Sequence, residues 1–424
     1  MSLVALLFTS ALLCSADAPA PPEEAQWFRG NLHTHSLWSD GDNFPEMIVD
    51  EYVSRGYHFL ALSDHNILSR GPRWMYTHTV QSRAKADALG KYRARFGDEW
   101  VELRGEGDRQ EVRLKPLDEF RPLFEKPGRF LLLEAQEVTA SFKRLPVHIN
   151  ATNLVKRIAP QRGASVRQVI RNTLKEVIAQ AEREKRPILA HLNHPNFGYA
   201  VTAEDLAHVV EERFFEVYNG HPAVNHRGDE LHVNVERMWD IANAIRIGTL
   251  GAPLLYGLAT DDSHHYHARE GSLTGRGWIM VRSTALTPAA LIGAMERGDF
   301  YASSGVTLSE VRFDAEAGTL EVEVEAQEGA TYRIDFVGTR KGVEPVGEPR
   351  RGKDGEPLEQ VTAKYPNSIG ETFRSVEGAR AIYRCEGNEM YVRAVITSSL
   401  PVDRPVWEGQ RRKAWTQPVQ PALR

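Results

Sequence analysis

The chain has 424 residues, 42% of them hydrophobic and 26% charged, with a formal net charge of -5. This is enough apolar content for a large core with room for a second small domain. Basic and acidic residues are interspersed, so no basic field exists of the kind that gathers nucleic-acid phosphates, and nucleic acid is excluded as a partner.

Residues 3–13 are nearly all apolar and are followed by small residues from Ser15 to Ala20 and prolines up to Pro22. The pattern predicts a secretory signal over 1–20 with an Ala-x-Ala site at Ala16 to Ala18, although no Lys or Arg precedes the apolar run. That run is too short to span a bilayer, so the mature protein is expected to be periplasmic or extracellular without membrane insertion. Leu13 before Cys14 is too bulky for lipoprotein processing. Of the 2 cysteines, Cys14 would leave with the signal. Cys385 then reads as a packed small residue near Tyr383, and no intrachain disulfide is expected.

Residues 27–35 read as a strand whose end carries His33-Thr34-His35, four residues before Ser39-Asp40-Gly41. Positions i and i+2 share a face, so the two imidazoles converge on one point, as metal ligands do. Later apolar runs that look like buried strands also end in, or carry, groups able to hold a cation. Phe59 to Leu62 precedes Asp64-His65, Phe130 to Leu133 precedes Glu134, and His148 lies between Val147 and Ile149. Pro187 to Ala190 precedes His191 and His194, and Leu254 to Ala259 precedes Asp261-Asp262-Ser263-His264. In a parallel β/α barrel the strand C-termini gather at the one face that carries the chemistry.

Between His65 and Glu134 lies an insertion, about 70–128, rich in charge. A helix is expected near Arg73 to Phe96, and Trp74, Tyr76 and His78 either reach over the site as a lid or lie on the barrel flank. Ser165-Val-Arg-Gln168 is a capping-box pattern. Val166, Val169, Ile170, Leu174, Val177, Ile178 and Ala181 then recur at helical spacing, predicting an amphipathic helix packed on the barrel. Thr287-Pro288 opens another helix that ends near Gly298. Helix and strand alternate through about residue 300, which predicts an α/β architecture over 21–307. From Leu308 the pattern changes to period two, as in Thr319 to Ala326, Ala330 to Phe336 and Glu389 to Ile396. Residues 308–400 are therefore expected to form a small antiparallel β domain, and 401–424 a surface tail. His58, His208 and His232 fall inside predicted elements and read as surface or satisfied core histidines.

The His-x-His-Ser-x-x-Ser-Asp-Gly opening and the late Asp-x-His, with the motif order across about residues 27–305, resemble the polymerase-and-histidinol-phosphatase (PHP) superfamily of metal-dependent phosphoesterases. The resemblance implies a distorted (β/α)7-type barrel holding two or three divalent ions. It implies His33, His35, Glu134 and Asp262 around one ion, Glu134 bridging to a second completed by His148 and His194, and Asp40, His65 and His264 around a third. Asp261 and His191 are the rival choices to Asp262 and His194. Mixed imidazole and carboxylate ligands suit zinc, manganese or iron, and no clustered thiolates point to a structural zinc site.

Ions so placed would support hydrolysis by a hydroxide held between them, with Glu134, Asp262 and His264 as the catalytic residues. No Gly-x-Ser-x-Gly elbow or P-loop offers another route. His221, Asn193, Asn219, His265, His267 and Arg269 are the candidates for substrate contact, Arg269 as a phosphate clamp.

The expected function is an exported phosphoesterase acting on a small phosphomonoester or phosphodiester. The alternatives are a carboxylic ester, carbamate or amide hydrolase on the same barrel, and a metal-stabilised binding protein without turnover. Anion clamps beside the metals would favour the phosphoesterase. An apolar pocket lined by Trp38, Phe197 and Tyr199 would favour the second reading. The third is disfavoured because every ligand position of the resembled pattern is filled. The sequence carries no signal for oligomeric state.

Overall fold

The structure is a computed structural model that describes residues 24–421; the expected signal and Cys14 lie outside the described residues. Strand β1 (Gln26–Asn31) leads through α1 (Pro45–Ser54) to β2 (Phe59–Leu62). The insertion follows, with β3 (Arg73–Tyr76), α2 (Thr77–Ala84), α3 (Ala88–Phe96), β4 (Leu103–Arg104), β5 (Glu111–Leu114) and α4 (Leu117–Phe124). Next come β6 (Leu131–Phe142), β7 (Leu145–Thr152), α5 (Val166–Glu184), β8 (Leu189–Leu192), α6 (Ala203–His208), β9 (Phe214–Asn219), α7 (Val235–Gly248) and β10 (Tyr256–Thr260). β11 (Trp278–Ser283), α8 (Pro288–Glu296) and β12 (Phe300–Ser303) complete this part. The remainder is β13 (Leu308–Asp314), β14 (Thr319–Val324), β15 (Tyr332–Arg340), β16 (Glu371–Glu377), β17 (Arg380–Arg384), β18 (Glu389–Pro401) and β19 (Arg411–Thr416).

One 13-stranded sheet runs in the order β10-β9-β8-β7-β6-β2-β1-β11-β12-β19-β18-β15-β16. It is open, which corrects the expectation of a (β/α)7-type barrel. β1, β2 and β6 are parallel, as are β8, β9 and β10, but β7 runs antiparallel to both neighbours and β11 antiparallel to β1. A single parallel bridge between Thr34 and Ser263 brings the segment beyond β1 against the segment beyond β10. The catalytic-looking side chains cluster there. A core of apolar side chains from these strands and from α5, α6, α7 and α8 lies beneath them.

The helix signals hold in detail. Ser165 caps α5 by accepting from the Gln168 amide, and Val166, Val169, Ile170, Leu174 and Val177 are buried, whereas Ile178 is 42% exposed at the edge of the apolar stripe. Thr287 caps α8 with Pro288 at its first position, and the chain leaves through Gly298 at φ 82°.

Three expectations about organisation change. Residues 73–76 form a strand rather than the start of a helix, in a three-stranded sheet β3-β5-β4. The insertion is neither lid nor ornament: Val80, Ala88, Tyr92 and Val112 pack on Leu37, Trp38 and Phe44, so it props the loop that carries Asp40. Tyr76 and His78 stack on each other in solvent, away from the site. The third change is the tail, which is no surface extension. β19 lies between β12 and β18 with Trp415 buried, and Gln417 exchanges hydrogen bonds with both backbone groups of Gly257. Through β19 the strands after residue 308 join the large sheet, leaving only β13-β14-β17 as a separate antiparallel sheet.

Candidate metal centre

Beyond β1 the chain stays extended, with the His35 amide donating to Ser263 O and the Asp262 amide to His33 O, each at 3.0 Å. This pairing sets His33 and His35 against Asp262. The two Nε2 atoms are 3.1 Å apart, and Asp262 Oδ1 lies 3.2 Å from each. Asp262 sits at φ 48°, a left-handed conformation that non-glycine residues seldom adopt outside constrained sites. The loop that follows is tied down by Asp64, which accepts from the Ser36 amide and from the hydroxyls of Ser36 and Ser39. A Cβ on Gly41 would meet His35 O at 2.5 Å, so only glycine fits beside Asp40. The Ser-x-x-Ser-Asp-Gly spelling thus has a local physical cause.

Glu137 on β6 is the shared carboxylate. Its Oε1 lies 3.5 Å from His33 Nε2, 3.0 Å from His148 Nδ1 and 3.5 Å from His194 Nε2, and its Oε2 lies 3.4 Å from His35 Nε2. Oε2 is also 2.7 Å from His65 Nδ1 yet makes no hydrogen bond, His65 Nδ1 being paired with the Thr139 hydroxyl at 2.5 Å. Asp40 closes a third group, 3.4 Å from His65 Nε2, 3.4 Å from His264 Nε2 and 3.6 Å from His35 Nδ1. His35 and His264 stack with centroids 4.0 Å apart.

Charge here is unsettled by the protein's own groups. Burial drives the His35 imidazole down to about 3, aided by repulsion from His264. Burial acts the same way on His65, but the carboxylates of Glu137 and Asp40 outweigh it and carry that imidazole up to about 11. Glu137 and Asp262 are held well below the ordinary carboxylate range, against their burial, by the surrounding imidazoles. Four sets of nitrogen and oxygen donors lie close enough to share ions: His33-His35-Glu137, His33-His191-Glu216, Glu137-His148-His194 and His35-Asp40-His65-His264. An unpartnered carboxylate oxygen in the middle of imidazoles fits divalent cations.

Around this centre a layer of residues fixes its members. Glu216 on β9 accepts from His33 Nδ1 at 2.7 Å, the Thr260 hydroxyl at 2.7 Å, the His194 amide at 2.8 Å and Asn219 Nδ2 at 2.8 Å. Its lone pairs are thereby filled, and it sets the tautomer of His33 so that Nε2 is the open nitrogen. Asn219 also donates to Asp262 Oδ2.

Several sequence-derived assignments move. Glu134 is not in the centre: both of its oxygens are gripped by Arg70, at 2.5 Å each, and Glu137 takes the place expected for it. The reason is parity and register. Leu133 and Ala135 face the core, Glu137 shares that face, and His65 is level with Glu137 in the sheet while Leu62 is level with Glu134.

Asn193 donates to Glu137 Oε1 and Asn150 Oδ1, so it positions the carboxylate and has no donor left for substrate. Arg269 and His265 are exposed, and His265 Nδ1 accepts from the Ser272 amide. His267 faces Lys91. His221 stays at the rim, its ring 5.6 Å from that of His264, and Nδ1 accepts from the Ala223 amide, which puts the proton on Nε2. Of the rival choices, Asp261 is consumed by the amides of Gly275, Arg276 and Gly277 and by the Tyr52 hydroxyl. His191 lies beside Glu216, 3.4 Å away, and not beside His148.

Glu137 and Glu216 are the two residues that motif reading missed. Strand parity from Leu133 would have pointed to Glu137. A lone acid inside Phe214-Phe215-Glu216-Val217-Tyr218 would have pointed to Glu216, since an unpaired charge is almost never fully buried.

No family model matches the chain, and no curated protein is significantly similar to it. Among solved structures it is similar to a two-domain protein from Bacteroides vulgatus that contains a predicted PHP-like metal-dependent phosphoesterase. The TM-score is 0.40 and the identity 14%, covering 96% of this chain and 100% of that one. It is also similar to a protein from Bifidobacterium adolescentis whose assignment as a metal-dependent phosphoesterase is likewise a prediction. There the TM-score is 0.29 and the identity 12%, covering 58% of this chain and 91% of that one. At these values the likeness is loose, and the centre is read from its own residues.

Proposed function

We propose that the protein is a metal-dependent phosphoesterase acting on a small phosphorylated substrate. The observation that carries this is Glu137, a buried carboxylate shared by two donor groups and touching a third, paired with His148, which lines a cationic groove. That groove, about 740 Å³, runs from His148 past Lys143, Arg144 and Arg162 and contains no carboxylate. Such a lining favours a substrate that brings negative charge. Trp38, Phe197 and Tyr199 do not form the apolar pocket that would favour a carboxylic ester. Trp38 is buried with its N–H on Lys115 O, Tyr199 stacks on His232, and only Phe197 lies at the site, 5.0 Å from the His194 ring.

Divalent ions held here would activate water and neutralise phosphoryl oxygens. The chain's own residues do the rest. Glu216 and Asn219 orient His33 and Asp262, Asn193 orients Glu137, and Asp64 anchors the loop bearing Asp40. At the rim His221, driven down to about 4 by burial, is neutral at physiological pH and offers Nε2–H to a substrate oxygen.

The test is metal analysis of the purified protein together with hydrolysis of p-nitrophenyl phosphate, bis-p-nitrophenyl phosphate and p-nitrophenyl acetate before and after chelation. Two or three bound ions with chelator-sensitive release from a phosphate reagent is the expected outcome. Preference for the acetate would replace the reading with carboxyl-ester chemistry, and absence of metal under replete conditions would end it.

A further inference from the structure

A second cavity, about 680 Å³, lies between α7 and β9 on one side and β15, β18 and β19 on the other. None of the residues in the four metal-candidate groups lines it. Six cationic side chains line it against three carboxylates, and each carboxylate already has a cation. Asp240 is gripped by Arg393 through Nε at 3.0 Å and Nη2 at 2.7 Å. Glu236 takes Lys413 at 2.6 Å, and Asp335 takes Arg333 at 2.9 Å. The guanidiniums of Arg227, Arg237 and Arg411 are left without an acid among the described residues. Arg237 and Arg411 reach only backbone carbonyls.

Two donors on the same lining make no hydrogen bond, although the indole N–H of Trp415 lies toward the carboxylate of Glu236. Arg393 is 1% exposed and Trp415 is 3% exposed, yet Arg393 Nη1 and Trp415 Nε1 are both without a hydrogen-bond partner. Buried donors are almost always satisfied, so two orphans on one cavity wall that also carries surplus positive charge call for an acceptor from outside the chain. Beside them Tyr218 stacks on His226 at 5.0 Å and on Trp415 at 6.0 Å, giving the wall a flat apolar portion.

We propose that this cleft is a binding site for a small organic anion, a carboxylate or phosphate group carried on a compact ring or chain. The oxyanion takes the free N–H groups of Arg393 and Trp415, and Arg227 completes its charge balance at the mouth. The site is separate from the metal centre and does not depend on the reaction proposed for it.

The test is isothermal titration of the metal-replete protein with benzoate and with phenylphosphonate, repeated on Glu137→Gln, Trp415→Phe and Arg227→Met. The expected result is binding of at least one probe at one site per chain that persists in Glu137→Gln. That binding should weaken by about tenfold or more when the indole N–H or the exposed guanidinium is removed. Arg227 is exposed, so its variant tests the site even if Trp415→Phe does not fold. No heat of binding at millimolar probe would overturn the proposal and leave the orphan donors to water. Binding abolished by Glu137→Gln but indifferent to Trp415→Phe and Arg227→Met would overturn it in favour of the metal centre.

Discussion

The buried charge around Glu137 and the buried charge around Asp240 are settled in opposite ways. Asp240 is met by the two-pronged Arg393 and by the Tyr391 hydroxyl at 2.8 Å, so its side-chain oxygens are answered within the protein. Glu137 faces five imidazoles, and one of its oxygens has no hydrogen bond. A closed pair of this kind is structural, whereas a carboxylate left with an open oxygen among imidazoles is a place for cations. A third buried acid takes neither route. Glu212 accepts only from the amides of Arg213 and Phe214, its Oε2 has no partner, and burial pushes its carboxyl up to about 8. It is relieved by a proton.

The contrast can be broken most decisively at the two glutamates of β6. Glu137→Gln should lower metal content and cut hydrolysis by more than about a hundredfold, since even an outer partner of a ligand is worth about 10–100-fold. Glu134→Gln loses only its half-exposed contact with Arg70, worth ~0–1 kcal/mol, and should leave metal content and turnover within about twofold. Similar losses in both variants would show that the carboxylates were placed wrongly.

A smaller effect is expected at the closed pair. Asp240→Asn leaves Arg393 buried without its counter-charge and should destabilise the fold by about 3–5 kcal/mol in urea unfolding, with metal stoichiometry unchanged. An unmoved midpoint would remove the distinction drawn here.

The smallest effect concerns pH. Because the folded carboxyl of Glu212 titrates near 8 and an unfolded one near 4.5, the folded state holds the extra proton between those values. Its contribution is fully present below about pH 4.5 and is lost as pH rises through about 8. Unfolding free energies measured across that window should fall less steeply in Glu212→Gln than in the parent, and parallel curves would contradict the assignment.

Most of the centre that was legible in the sequence is where ligands follow a strand's end directly; His148, inside β7, stood out instead by its apolar neighbours. His33, His35, Asp40, His65, His264 and the Asp-x-His all lie in short segments beyond β1, β2 and β10, where local spacing fixes their neighbours. The carboxylate on β6 was misread because that strand runs on for 12 residues, through Glu134 and past Glu137, instead of stopping after its apolar stretch. Only sheet register decides which acid faces inward, and register depends on partners far away in the chain. The same limit hid the role of residues 411–416. Arg411-Arg-Lys413 looks like a solvated tail, yet the backbone of that segment pairs on both sides. Charged side chains at a strand's rim do not announce that its peptide groups are buried.

The position of β19 has a consequence for how the molecule comes into being. β18 and β15 join the sheet only through β19, and β12 has no other neighbour on that side. A nascent chain leaving the ribosome must therefore hold some three hundred residues of strands and helices with an unfilled slot until residues 411–416 emerge. Before that moment the edges of β12 and β18 are open to other chains, which makes late synthesis the interval in which chaperones matter most.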